Sequence, residues 1–315
     1  MSERPSLARR AWSRAWRMGE RYRFLRDVLG GILIVAVLAG TLAAATGGVW
    51  PPILVVESES MMHGGAEYHY GRLGSIDVGD IVFVRAVHDP ATVHLWVDGG
   101  ASRYGRPGDV ITYAQDGDHL NTTIIHRAMT FITVVELPNG SVQYRVKWLD
   151  GQTRVFGSAG VYMPELGFDE RFGFTPANAY RPAYSGFITK GDNSFTNPAS
   201  DQALGISQIV DPAWVDGKAY GEVPWMGLAK LALQTGVTNP DVPGFYRVGN
   251  AFAPLDAWTC FFATLTLVIV VPLALDTLRL WRAGREGRAA DKLARKMQRE
   301  RRREAKAQAS AQRRT

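Results

Sequence analysis

Ile53-Leu54-Val55-Val56 runs straight into Glu57-Ser58-Glu59-Ser60-Met61-Met62, and the reading of this stretch decides the architecture. The apolar run favours an extended strand. It follows directly on the first long uncharged segment of the chain, Val28 to Thr46. A serine at the end of such a strand, a short step from a membrane-sized helix, reads as a nucleophile held where a chain leaving the bilayer can reach it.

Working outward toward the N-terminus, Val28–Thr46 is close to the roughly 20 residues needed to cross a bilayer, so residues 28–49 are expected to hold a transmembrane helix. Ala43-Ala44-Ala45 mimics the small-residue cleavage site of a signal peptide. The apolar run is longer than a usual signal-peptide core, so it is expected to stay as an anchor. A second span is expected over residues 255–278, where Ala257 to Leu275 lies between Asp256 and Asp276, with Trp258 and Trp281 placed for the two interfaces.

The net charge of +6 hides a segregation. Residues 1–27 carry eight arginines against three acids, and residues 277–315 carry fourteen Lys/Arg against four, which leaves −9 for everything between. Basic flanks outside both spans put both termini in the cytoplasm and residues 50–254 on the far side of the membrane. Two core helices of a soluble protein would not explain that segregation. The first flank interleaves Trp12, Trp16, Tyr22 and Phe24 with its arginines, a pattern suited to an anionic membrane surface. The tail, residues 279–315, is rich in Arg, Ala, Lys and Gln and reads as a solvated helix. No reader motif accompanies either basic segment, so nucleic acid is not an expected partner. The only cysteine, Cys260, lies in the second apolar run, so packing alone must hold the domain together.

Between the spans the pattern is mainly β. Ile81-Val82-Phe83-Val84, Val110-Ile111-Thr112-Tyr113 and Thr123-Ile124-Ile125 are short β-branched runs bounded by Gly, Asp or Pro. Phe131 to Leu137, Pro138-Asn139-Gly140 and Ser141 to Leu149 read as a hairpin around an Asn-Gly turn. Asp150-Gly151 turns the chain again into Thr153-Arg154-Val155-Phe156, giving a three-strand meander.

The blocks Glu57 to Met62, Gly79-Asp80-Ile81-Val82-Phe83-Val84, Ile124-Ile125-His126-Arg127 and Gly186 to Asn193 with Asp201, in that order, resemble the type I signal peptidase family. The resembling branch is the archaeal and endoplasmic-reticulum one, which uses a histidine where bacterial members use a lysine. The resemblance covers about Trp50 to Gly227. It implies a signal-peptidase-like β catalytic domain, with about residues 131–184 as an inserted β subdomain. It also implies a membrane serine endopeptidase that removes signal peptides, with secretory preproteins, membrane lipids and the translocon as partners and no cofactor. Two departures stand out. A proline usually follows the Ser-Met pair, whereas this chain has Met61-Met62-His63-Gly64, and the Asp192 to Asp201 spacing is long. An inactive scaffold or sensor with the same fold, or a protease with one dedicated client, is the rival reading.

The chemistry needs these residue types. A serine hydroxyl is a poor nucleophile near neutral pH and requires a base within reach. Histidine suits that role without desolvation, since its ordinary pKa is about 6.5. The resemblance gives Ser60 as nucleophile, His126 as base and Ser58 as a second oxyanion donor beside the Ser60 main-chain N–H. Asp192 and Asp201 compete to orient the imidazole. Asp192 sits in a Gly-Asp-Asn turn, where an aspartate tends to bond its own nearby backbone, and Asp201 resembles the second aspartate of the histidine-type branch, so Asp201 is the expected orienter and Asp192 a structural residue. His63, next to Gly64-Gly65, is expected to be a surface residue. The spacing of His63, Glu67 and His69 fits no zinc pattern, so no metal is expected.

Overall fold

The computed structural model describes residues 7–63, 74–100, 102–163, 173–234 and 245–312. The chain divides into two units, Met1–Ala257 and Trp258–Thr315. In chain order it runs through helix α1 (Leu7–Ala45), β1 (Ile53–Val55), β2 (Ile81–Arg85), the short hairpin β3 (Ser102–Arg103) and β4 (Arg106–Pro107), and β5 (Val110–Tyr113). Then come β6 (Ile124–Glu136), β7 (Val142–Lys147), β8 (Thr153–Phe156), β9 (Gly186–Lys190), a single helical turn α2 (Asp201–Leu204) and β10 (Val215–Val223). The chain closes with α3 (Leu228–Leu233), β11 (Phe245–Val248), β12 (Ala251–Pro254) and the long helix α4 (Leu255–Gln312).

Two helical segments are long and apolar enough to cross a membrane. Leu25–Ala45 has a mean hydropathy of 2.4, with none of its most apolar window buried. Leu255–Arg282 has 2.2, with 11% buried. A core helix of a soluble protein would be mostly covered, so the open apolar surfaces of these two segments are consistent with a two-pass membrane protein. Both helices continue past these segments into the basic flanks.

Eight strands form one antiparallel sheet in the order β1-β2-β10-β5-β6-β7-β8, with β9 also pairing β6. The β6–β7–β8 meander forms with its turns at Asn139-Gly140 and Asp150-Gly151, as the sequence suggests. The runs expected as separate strands at Thr123–Ile125 and Phe131–Leu137 are instead the two ends of β6, one 13-residue strand. The polar residues between them hid this continuity. Those residues are buried with partners, and a register shift against β9 between Ala128 and Thr130 absorbs the irregularity.

The segment expected as an inserted subdomain does not stand apart. Tyr144, Val146, Trp148, Val161, Met163 and Phe174 share one core with Ile111, Tyr113, Phe187 and Val210. Within residues 131–184, positions 164–172 lie outside the described residues. A second cluster, Val56, Met61, Ile76, Val82, Val110 and Ala219, sits under the Ser60 loop. Lys230 to Pro254 carries most of α3 and the β11–β12 hairpin.

Candidate active site

Ser60 is presented by a short turn after β1. The strand pairing extends one residue past β1, with the Val56 N–H on the Asp80 carbonyl and the Gly79 N–H on the Val56 carbonyl. A turn closes with the Met62 N–H donating to the Glu59 carbonyl. Met61 is 1% exposed in the core beneath, so burying this methionine turns the preceding serine outward.

His126 lies on β6, paired with Ile111 of β5. Its Nε2 is 2.9 Å from Ser60 Oγ and its Nδ1 is 2.7 Å from Asp201 Oδ2. Asp201 begins α2 after the cap residue Ser200. This turn is fastened to the end of β9, where the Thr189 N–H donates to Gln202 Oε1. Tyr113 OH donates to the same Asp201 Oδ2 at 2.8 Å and lies 3.1 Å from Thr189 Oγ1. Burial pushes the Asp201 carboxyl up, but the charge and hydrogen bond of His126, with the Thr189 and Tyr113 hydroxyls, more than offset this and hold it below the usual range. Burial first, then the Asp201 charge, raises the Tyr113 phenol well above its ordinary value, so it stays a donor.

Arg127, the next residue along β6, projects to the opposite side and meets the other aspartate. Its Nε and Nη2 reach Asp192 Oδ1 and Oδ2 at 2.8 and 2.5 Å, and its Nη1 donates to the carbonyls of Arg106, Pro107 and Gly108. Both side chains are fully buried. Burial raises the Asp192 carboxyl, but the hydrogen bonds and charges of Arg127 and His63 lower it below its usual range. Asp192 therefore does not close its own turn, contrary to the sequence expectation. Its neighbour does so, with Asn193 Oδ1 accepting from the Phe195 N–H.

His63 is likewise corrected. It is not a surface residue, because its Nε2 lies 2.7 Å from Asp192 Oδ2 and its side chain is only 16% exposed. Gly105 makes room for the ring, since a Cβ there would lie 2.7 Å from His63 Cε1. Glu67 and His69 lie outside the described residues. Among the described residues no group of His, Cys, Asp and Glu is arranged to hold a metal.

The turn after β9 also grips the nucleophile loop from behind. The Asn193 N–H donates to the Ser60 carbonyl and Asn193 Nδ2 to the Glu59 carbonyl, each at 2.9 Å. Gly191 permits this approach, because a Cβ would meet the Ser60 oxygen at 2.6 Å. Buried Lys190 donates to the carbonyls of Gly191 and Asn197, which ties the middle of the long interval between the two aspartates back to the end of β9.

Ser58 Oγ stands 3.2 Å from Ser60 Oγ. On the β5 side of β6 the Ala128 N–H donates to the Asp109 carbonyl. The alternation of an antiparallel ladder therefore turns the main-chain groups of Ile125 to the opposite edge, beyond the end of β9 at Lys190, which pairs Arg127.

Sequence reasoning missed Tyr113, Thr189 and the tie between His63 and Asp192. One signal was available: Arg127 inside a β-branched strand called for a buried acid. Nothing marked Tyr113, which reads as an ordinary strand aromatic. Compared with family models, curated proteins and solved structures, the chain matches none, so its functional reading rests on these residues and their geometry.

Proposed function

We propose that this chain is a membrane-anchored serine endopeptidase of the signal peptidase kind, cutting signal peptides from secretory preproteins at the outer membrane surface. The observation that carries the reading is the hydrogen-bonded series from Ser60 Oγ to His126 Nε2 and from His126 Nδ1 to Asp201 Oδ2.

In this reading His126 Nε2 takes the Ser60 proton as Oγ attacks the scissile carbonyl carbon. Asp201 accepts the Nδ1–H bond, fixes the tautomer and stabilises the imidazolium that forms. The Ser60 main-chain N–H and the Ser58 hydroxyl donate to the oxyanion, and each such donor typically contributes about 3–4 kcal/mol to the transition state. The imidazolium then returns its proton to the leaving amine. Water, deprotonated by the same imidazole, hydrolyses the acyl-enzyme. An extended substrate can pair with the main-chain edge at Ile125, which no strand among the described residues covers and which lies directly before the base.

The two apolar helices and the charge segregation support a two-pass anchor with both termini cytoplasmic and residues 50–254 outside. Externally added protease is then expected to digest the middle region of the chain in intact cells and to spare the C-terminal tail. Digestion of the tail rules out that orientation.

The functional test is incubation of the detergent-solubilised chain with a panel of preproteins. Cleavage of many of them after small residues, abolished in Ser60→Ala, is the expected result. Cleavage of a single client points to a dedicated protease, and no cleavage of any preprotein points to an inactive scaffold. Near-normal cleavage by Ser60→Ala removes the serine mechanism.

A further inference from the structure

We infer that His63 is a positioning residue for the nucleophile, tying the Ser60 loop to the strand that carries the base; as a statement about catalysis, this rests on the reading above. The argument starts from connectivity. Ser60 and His63 belong to the same short loop, His63 Nε2 bonds Asp192 Oδ2, and Asp192 in turn holds Arg127, the chain neighbour of His126. His126 closes the ring on Ser60 Oγ. Nucleophile and base are thus joined twice, once through their own hydrogen bond and once through a buried carboxylate on the other side of β6. Shared acceptance by Oδ2 makes the second path stiff, because Arg127 is itself pinned by three carbonyls.

Two observations separate this arrangement from a passing surface contact. The carboxylate is fully buried while the imidazole is 16% exposed, so the ring acts as the outer cover of the ion pair. Gly105 is shaped around the ring, leaving no space for a Cβ. The loop's other fastenings, the two Asn193 bonds, hold the carbonyls of Glu59 and Ser60 on the near side of the turn. His63 fastens its far end. With both ends held, the Ser60 side chain has little freedom to swing away from Nε2, and a nucleophile kept in a near-attack position reacts faster at the same substrate affinity.

The required feature is a donor at the Nε2 position, and glutamine places an N–H in nearly the same place. His63→Ala is expected to lower kcat about 10–100-fold with KM little changed, because the loss is one of positioning. His63→Gln is expected to restore most of the rate, and His63→Phe, which keeps bulk without a donor, is not. Amide hydrogen exchange on the full detergent-solubilised chain reads the same claim without any substrate. The Met62 and Asn193 amides, which bond Glu59 and Ser60, are expected to exchange about tenfold faster in His63→Ala and His63→Phe and at the wild-type rate in His63→Gln. Wild-type exchange at these amides in His63→Ala, or equal speeding in His63→Gln, overturns the inference. A wild-type chain that cleaves no preprotein counts against the functional reading alone, since the exchange comparison still decides the role of His63.

Discussion

Two aspartates, nine residues apart in sequence, serve neighbouring residues of one strand on its two faces. Asp201 takes His126 together with the Tyr113 hydroxyl, whereas Asp192 takes Arg127 together with His63. Both carboxylates are fully buried and both titrate below the usual range. They differ in what their partner can do. Imidazole can give up its proton, so the His126 side can change charge during a reaction. Guanidinium cannot, so the Arg127 side stays a fixed ion pair. Strand alternation thus places a switchable pair and a permanent pair back to back, the first facing Ser60 and the second bracing the loop that carries it.

The same substitution on the two sides should break this comparison most clearly. Asp201→Asn is expected to lower the cleavage rate about 10⁴-fold, as loss of the orienting acid does in serine triads. Its melting temperature should fall less than that of Asp192→Asn, because the asparagine oxygen can still accept from the imidazole and the Tyr113 hydroxyl and no permanent cation is left unpaired. Asp192→Asn should instead strand the fully buried Arg127 and destabilise by about 3–5 kcal/mol, read as a shift in denaturant midpoint. That cost exceeds a lost turn bond, because the carboxylate holds a cation and not its own backbone. A rate collapse without instability in Asp192→Asn would reverse the assignment of the two acids.

Acid sharpens the contrast. Both carboxyls sit lower in the folded chain than in the unfolded one, so the stability they contribute is present above about pH 4, near the ordinary aspartate value, and is lost as pH falls through their folded values. The wild type should unfold more readily on acidification, and Asp192→Asn should show a flatter dependence below about pH 4. A parallel acid profile for the two chains would deny the ion pair its role.

A third buried acid behaves in the opposite sense and gives the smallest expected effect. Asp80 accepts from the Asp77 and Trp225 N–H groups, yet burial, with the nearby Asp77 and Glu222 charges, pushes its carboxyl up to about 8. The folded chain therefore holds this proton where the unfolded chain has released it, and stability falls as pH rises from the ordinary carboxylate value toward 8. Asp80→Asn should gain on the wild type by about 1–3 kcal/mol across that window, measured by denaturation at several pH values. A constant difference between the two would place the Asp80 titration elsewhere.

Local pattern alone made much of this protein legible. The two apolar runs, the segregated charge, β2, β5 and the meander with its Asn-Gly turn follow from periodicity, composition and turn chemistry, which act over a few residues. Ser60, His126 and Asp201 stand out through the family resemblance of the blocks that carry them, not through periodicity. Tertiary structure decided what those residues touch. Tyr113 lies 88 positions from Asp201, and His63 lies 129 from Asp192, so no local pattern could join them. The continuity of β6 was hidden for the same reason, since its polar middle is tolerable in a strand only once partners from distant segments bury it. Sequence set which groups could do chemistry, and the folding of the segment after β9 against both faces of β6 determined which aspartate His126 and Arg127 would each meet.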